Sequence, residues 1–207
     1  MAKVLVCEIT KLFLHLLFSN LLPIFIDSLM SKFVHLHVHT QYSVLDGQAP
    51  VEALVDKAMA DGMPALAITD HGNMFGIKEF YNYVAKKNSK TKGAIKDALE
   101  AAKKAEEEGN TQEAEARKAE AEELKAKIFK PILGCEVYVA EQSLDTHIDK
   151  HDTGRHLIIL AKNEKGYHNL VKIVSKAWTD GFYSHPRTDK ADIVAHKEGL
   201  IVCSACL

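Results

Sequence analysis

The stretch Phe33-Val34-His35-Leu36-His37-Val38-His39-Thr40 reads as a short apolar strand carrying imidazoles. It runs directly into Gln41-Tyr42-Ser43-Val44-Leu45-Asp46-Gly47. In an extended chain every second side chain shares a face, so His37 and His39 point the same way. At the C-terminal end of a strand in an α/β barrel that face opens onto the mouth where chemistry is built. His35 has the same parity but sits earlier and reads as a core or supporting residue. Asp46 is placed to fold its carboxylate back onto the strand end, although an ordinary Asp-Gly turn also accounts for Asp46-Gly47.

Outward from this stretch, short apolar runs alternate with helical patterns, the signature of βα units around a parallel sheet. The patterns predict strands over Phe33–Val38, Ala65–Thr69, Ile132–Ala140, His156–Ala161 and Gly199–Ser204. A helix opened by Pro50 runs to Ala60 and is ended by Asp61-Gly62. Another covers Met74–Lys87, with Phe75, Phe80, Tyr83 and Val84 inward, and two more cover Glu164–Trp178 and Lys190–Lys197. From Lys90 to Lys127 the chain is almost all Ala, Glu and Lys, broken at Gly109-Asn110. Helix formers, opposite charges four apart and Asn110-x-x-Glu113 predict a helical hairpin whose alanine face buries little surface. It reads as a solvated insertion over residues 90–127; a partner-binding arm is the alternative.

Two further clusters fall where strands end or cross a core. Asp70-His71-Gly72 terminates the apolar run Ala65–Thr69, which is poor packing chemistry and good ligand chemistry. Glu136 lies inside an apolar strand between Cys135 and Val137, where a carboxylate needs a cation or hydrogen bonds. His156, at the head of its strand, and Cys206, just past the last one, read equally well as ligands and as packing. Imidazole and carboxylate groups in this mixture bind two or three Zn²⁺, Mn²⁺ or Fe ions, and such clusters hydrolyse phosphate esters. The ions lower the pKa of a water and clamp the phosphoryl oxygens, while a carboxylate such as Asp70 orients imidazole ligands from behind.

The totals narrow the classes. With 26 Lys and Arg against 28 Asp and Glu, no basic excess advertises nucleic acid, although a local groove could still be positive. Most of the 11 histidines, among them His147, His151, His168, His185 and His196, read as ordinary surface residues. Four cysteines in a chain of 207 residues make no disulfide framework, and Cys203-Ser-Ala-Cys206 has no second pair for a zinc site, so a reducing cytoplasm fits. Residues 1–29 differ in character from the rest of the chain. Leu12 to Ile26 is uncharged but shorter than the roughly 20 residues of a membrane span, and no small-residue cleavage site succeeds it. The expectation is a non-native leader with Met30 as the initiator and no membrane association. A signal peptide is the alternative.

Together these segments resemble a known family. Phe33 to Gly47, Gly62-Met-Pro-Ala-Leu-Ala-Ile-Thr-Asp-His-Gly-Asn73, Pro131-Ile-Leu-Gly-Cys-Glu136, His156-Leu-Ile-Ile-Leu-Ala-Lys162, Gly166-Tyr-His-Asn-Leu-Val171 and Gly199 to Leu207 match, in order and spacing, the opening of the alpha subunits of bacterial replicative DNA polymerase III. The resemblance implies the polymerase and histidinol phosphatase (PHP) domain, a distorted (β/α)₇ TIM-like barrel, here incomplete and carrying the charged hairpin. It implies His37, His39, Asp46, His71, Glu136, His156 and Cys206 as metal ligands, and 3′–5′ exonuclease activity as in metal-bearing relatives.

The resemblance also places a further Asp-x-His pair beyond Leu207, together with the Mg-dependent polymerase region. The chain is therefore expected to be a fragment of a DNA-directed DNA polymerase (a nucleotidyltransferase of DNA replication), lacking the polymerase active site. DNA, a proofreading exonuclease subunit, the sliding clamp and the clamp loader are the implied partners. Two other readings share the clusters: a freestanding phosphatase of small phosphate monoesters, and an inert scaffold that docks the proofreading subunit.

Overall fold

The computed structural model describes residues 33–146 and 153–205. The expectations for residues 1–29, for His147 and His151, and for Cys206 lie outside the described residues. In chain order the elements are α1 (Val51–Ala60), β1 (Ala65–Ile68), α2 (Ile77–Lys87), α3 (Ser89–Glu107), α4 (Thr111–Ala126), β2 (Lys130–Val139), β3 (Arg155–Ala161), α5 (Glu164–Thr179), β4 (Phe182–Tyr183), β5 (His185–Thr188), α6 (Lys190–Ala195) and β6 (Leu200–Ser204).

The long strand β2 organises the sheet. Its first residues pair in parallel with β1, Ala65 opposite Lys130 through Ile68 opposite Leu133. Its end pairs in parallel with β5, Tyr138 opposite Arg187. Along its other edge β3 runs antiparallel, Gly134 opposite Leu160 through Val139 opposite Arg155, and β6 runs antiparallel along β3. The all-parallel sheet expected from the alternation of patterns is therefore corrected to a mixed one. The physical reason lies between Ala140 and Arg155, a stretch with no helical pattern, whereas a parallel return needs a crossover of a dozen residues or more, usually a helix.

The predicted strand over Phe33–Val38 is also corrected. Residues 34–38 form no assigned strand: they meet β1 and the residue after it through Ala67 N–H to His35 O and Thr69 N–H to Val38 O, with a bend at Leu36. The bend breaks the two-residue alternation, so His35 is exposed instead of shared with the core. Phe75 is a third correction. It precedes α2, which begins only at Ile77, and its ring lies in solvent.

The sheet has two unlike faces. Cys135, Val137 and Val139 on β2 with Ile159 on β3 pack against Leu170, Ile173 and Val174 of α5 and Ile193 of α6. Beside them α1 and α2 cover β1, with Val51, Val55, Phe80 and Val84 against Leu66 and Ile68. Burying a side chain the size of Phe80 stabilises by about 2–3 kcal/mol. The opposite face carries Ala67, Ile158 and Leu160. Residues directly opposite in a ladder share a face, so Glu136, opposite Ile158, projects with them, as do Tyr138 and His156.

The Ala/Glu/Lys stretch forms α3 and α4, packed through Ala98, Ala102 and Ala105 of one and Ala114 and Ala121 of the other. Asn110 caps α4 by accepting from Glu113 N–H, and its amide donates to the Glu113 carboxylate. At the base of this excursion the buried Asn88 amide donates to Phe129 O at 2.8 Å and accepts from Phe129 N–H at 3.1 Å. Among the described residues no helix is long and apolar enough to cross a membrane.

Candidate metal centre

Glu136 is the middle of the site. Two residues of β2 beyond Gly134, it turns a carboxylate that is 1% exposed toward four imidazoles. Its Oε2 lies 3.0 Å from His39 Nε2, 3.2 Å from His71 Nδ1 and 3.6 Å from His37 Nε2, and Oε1 lies 2.7 Å from His156 Nδ1. His71 is drawn against β2 by a parallel bridge to Glu136, fixed by Gly72 N–H donating to Glu136 O and Glu136 N–H to Asp70 O. On its outer side His71 Nε2 meets Asp46 Oδ2 at 2.5 Å.

The loop that delivers Asp46 is tightly specified. Gly47 N–H and Asp46 N–H both donate to Ser43 O. A Cβ at Gly47 would stand 2.1 Å from Thr40 O, so only glycine fits there. Leu45 takes a left-handed backbone, φ 75°, with its side chain wholly in solvent. That conformation costs a non-glycine residue on the order of 1–2 kcal/mol.

Hydrogen bonds behind the imidazoles settle which nitrogen faces inward. Ser43 Oγ donates to Asp70 Oδ1, so toward His39 Nδ1, 2.8 Å away, it can only accept. His39 Nδ1 therefore carries a proton and Nε2 faces Glu136. Thr69 Oγ1 stands behind His37 in the corresponding place, 2.8 Å from Nδ1 and 3.3 Å from Val38 O. Asp70, buried, holds this layer together by accepting from Thr40 N–H, Thr40 Oγ1–H and Ser43 Oγ–H.

The electrostatics arise from that convergence. Burial pushes the Glu136 carboxyl up, but the His39 hydrogen bond and the charges of His71, His156 and His37 outweigh it and hold the group at about 2. His39 is raised above its ordinary value by its bond to Glu136, against the cost of burial. His37 is lowered, chiefly by burial, with Glu136 opposing. Asp46 is lowered by its bond to His71. Burial pushes the Cys135 thiol up, which suits an inert core residue beside Asp70.

Of the residues singled out from sequence, His37, His39, Asp46, His71, Glu136 and His156 come together here, with Asp70 directly behind them. They form three overlapping sets, His37–His39–Glu136, His39–Asp46–His71 and His71–Glu136–His156, with donor atoms within 4.8 Å of one another in each. The donor set is nitrogen and carboxylate oxygen, the kind that takes Zn²⁺, Mn²⁺ or Fe. His71 Nδ1, buried and without a hydrogen bond, fits a cation as well.

Sequence reading missed Thr40, Ser43 and Thr69, which steer the rings, and Tyr138, whose ring lies 4.9 Å from His156 and 6.0 Å from His71. Tyr138 was findable, being two residues beyond Glu136 on the same strand face. His185, read as a surface residue, instead packs its ring 4.6 Å from Tyr138.

The family model described as PHP domain matches residues 35–207. The chain is 40% identical over 179 residues to the DNA polymerase III subunit alpha of Treponema pallidum, covering 85% of this chain and 12% of that protein. It is 38% identical over 182 residues to that of Borreliella burgdorferi, covering 87% and 12%. The subunit of Thermus aquaticus is 39% identical over 181 residues, covering 85% and 12%. The chain thus spans about 12% of the length of these relatives.

Proposed function

The chain belongs to the PHP domain family, and from that premise we propose that residues 30–207 supply most of a multinuclear metal phosphoesterase site to a replicative DNA polymerase. Its reaction would be hydrolysis of a DNA phosphodiester from the 3′ end. The single observation that carries the reading is the convergence of His37, His39, His71 and His156 on the buried carboxylate of Glu136. Nothing in a packed core needs so many imidazoles about one acid.

In this reading His37, His39, Asp46, His71, Glu136 and His156 hold the ions, with Cys206 and an Asp-x-His pair completing the set as a (β/α)₇ barrel closes. Bound Zn, Mn or Fe supplies Lewis acidity, lowering the pKa of water and neutralising phosphoryl charge. The protein's own residues do the positioning. Ser43 holds His39 as its Nδ1–H tautomer with Nε2 inward, and Thr69 braces His37 through Nδ1. Asp70 fixes the loop that carries Ser43, and Glu136 bridges two of the three sets. The excursion over residues 90–127 takes no part in the chemistry. DNA-directed polymerisation, with its own Mg, belongs to the longer protein. DNA, the proofreading subunit, the sliding clamp and the clamp loader are that protein's partners, in the cytoplasm.

The test is metal content by plasma mass spectrometry together with nuclease assay on a 5′-labelled single strand in Mn²⁺. The expected result is bound transition metal in the parent chain, sharply reduced in Glu136→Gln and His39→Ala, and shortening of the strand only by metal-bearing protein. Equal metal content in parent and both variants would overturn the ligand assignment; metal-loaded protein that leaves the strand intact would overturn the hydrolytic role.

A further inference from the structure

Three large aromatic side chains lie exposed in a row next to the metal centre. Phe75 is 66%, Trp178 44% and Phe182 56% exposed. The ring centroids of Phe75 and Trp178 are 6.3 Å apart, and those of Trp178 and Phe182 are 5.7 Å apart and stacked. They arrive from the loop after His71, the last turn of α5 and β4.

The indole at the middle of the row is pinned. Its Nε1–H donates at 2.8 Å to Gly72 O, one residue from His71, and Gly72 N–H donates to Glu136 O. Gly72 itself has no slack: its backbone is left-handed, and a Cβ there would stand 2.7 Å from Pro186 and 3.1 Å from Tyr138. The middle of the row is therefore attached to the peptide unit that follows His71 and bonds to the backbone of Glu136. Exposed rings in mutual contact beside a cluster of polar groups present an apolar surface to which a ligand can bind. Partly exposed rings around one indole fixed at its edge are suited to planar heterocycles, and base–aromatic stacking serves every base alike.

We propose that Phe75, Trp178 and Phe182 form a shelf on which unpaired bases of a single-stranded nucleic acid stack, directing the adjoining phosphate to the His71 side of the metal centre. The proposal rests on the phosphodiester reading above and adds to it the form of the substrate. A base pair inside a duplex is stacked on both faces and has none to offer the shelf, so the site takes bases at frayed or single-stranded ends.

Trp178 is the sole tryptophan of the chain, so its fluorescence reports the shelf directly. The full chain is titrated with single-stranded oligothymidylate, with an abasic oligomer of equal length and charge, and with closed circular duplex DNA, which has no ends; zinc content is measured on the same samples. Oligothymidylate is expected to quench Trp178, the other two to leave it unchanged. Phe75→Ala and Phe182→Ala are each expected to weaken oligothymidylate binding about tenfold without altering zinc content. Equal affinity for the thymidylate and abasic oligomers, quenching by duplex, or no quenching at all would overturn the shelf. Zinc-loaded chain without base-dependent quenching removes the shelf and leaves the metal reading standing, whereas base-dependent quenching in chain that binds no metal does the reverse.

Discussion

Ser43 Oγ lies 2.7 Å from Asp70 Oδ1 and gives that buried carboxylate the one proton it has. Everything else the hydroxyl touches must therefore donate to it: His39 Nδ1 at 2.8 Å and the backbone N–H of His71 at 3.1 Å. One small side chain thus fixes the ring of one candidate ligand, the backbone of another and the acid behind both.

Ser43→Ala removes that acceptor while changing little volume. His39 loses its tautomeric anchor and Asp70 one of its donors. Zinc affinity, read by competition with a chromogenic chelator, should fall about 10–100-fold, the usual cost of losing a partner behind a ligand. Unchanged affinity would mean that Ser43 serves the loop and not the ring.

The Asp46 loop offers a pair of substitutions of opposite sign. Gly47→Ala drives a Cβ into Thr40 O and should destabilise the chain by about 1–3 kcal/mol, with loss of the Asp46–His71 contact. Leu45→Gly relieves a left-handed backbone without removing any buried surface, and should match or exceed the parent's stability. Urea denaturation of the metal-free proteins distinguishes them, and a destabilised Leu45→Gly would show that the exposed leucine has a contact of its own.

The pH dependence of the metal-free chain originates in the same cluster. Glu136, held at about 2 against an ordinary 4.5, contributes stability that is present above 4.5 and lost as pH falls toward 2. His37, lowered from 6.5, likewise costs stability as pH falls below 6.5 toward its folded value. His39 is raised, so its contribution is present below 6.5 and is lost as pH rises through its folded value. Stability in chelator should therefore peak near pH 6.5, the ordinary value of both imidazoles. A urea midpoint still climbing from about pH 7 to 8 would contradict this.

Much of the site was legible because its residues break local rules. Glu136 is a charge in an apolar strand, and His37 and His39 repeat at strand spacing, so each advertises itself without any tertiary knowledge. The steering groups do not: Thr40, Ser43 and Thr69 are ordinary loop and strand-end residues until Asp70 organises them. The fold was legible in its helices, whose apolar periods α1, α2 and α5 keep to within a few residues. Strand direction was not read correctly, because period alone is blind to it, and β4–β5 was too short to leave a pattern. The bend at Leu36 likewise left no mark in a run whose composition is that of a strand.

Asn88 and Phe129 are tied by a pair of hydrogen bonds although 41 residues separate them. Asn88→Ala leaves the Phe129 N–H and C=O buried without that partner, and should lower stability by about 1–3 kcal/mol. Replacing residues 90–127 with a short turn, keeping both tied residues, should instead preserve zinc stoichiometry and the cooperativity of melting. Loss of either would make the hairpin part of the core.

Seen from the sheet, then, residue 88 is succeeded by residue 129, and the residues between are a parenthesis closed by one amide. Matched helical turns can be added to or removed from α3 and α4 without shifting the register of β1 on β2 or the place of Glu136 beyond it. The same geometry makes the Gly109-Asn110 tip an address for cargo: a reporter domain spliced there would be carried outside the fold, at a distance set by the length of the hairpin.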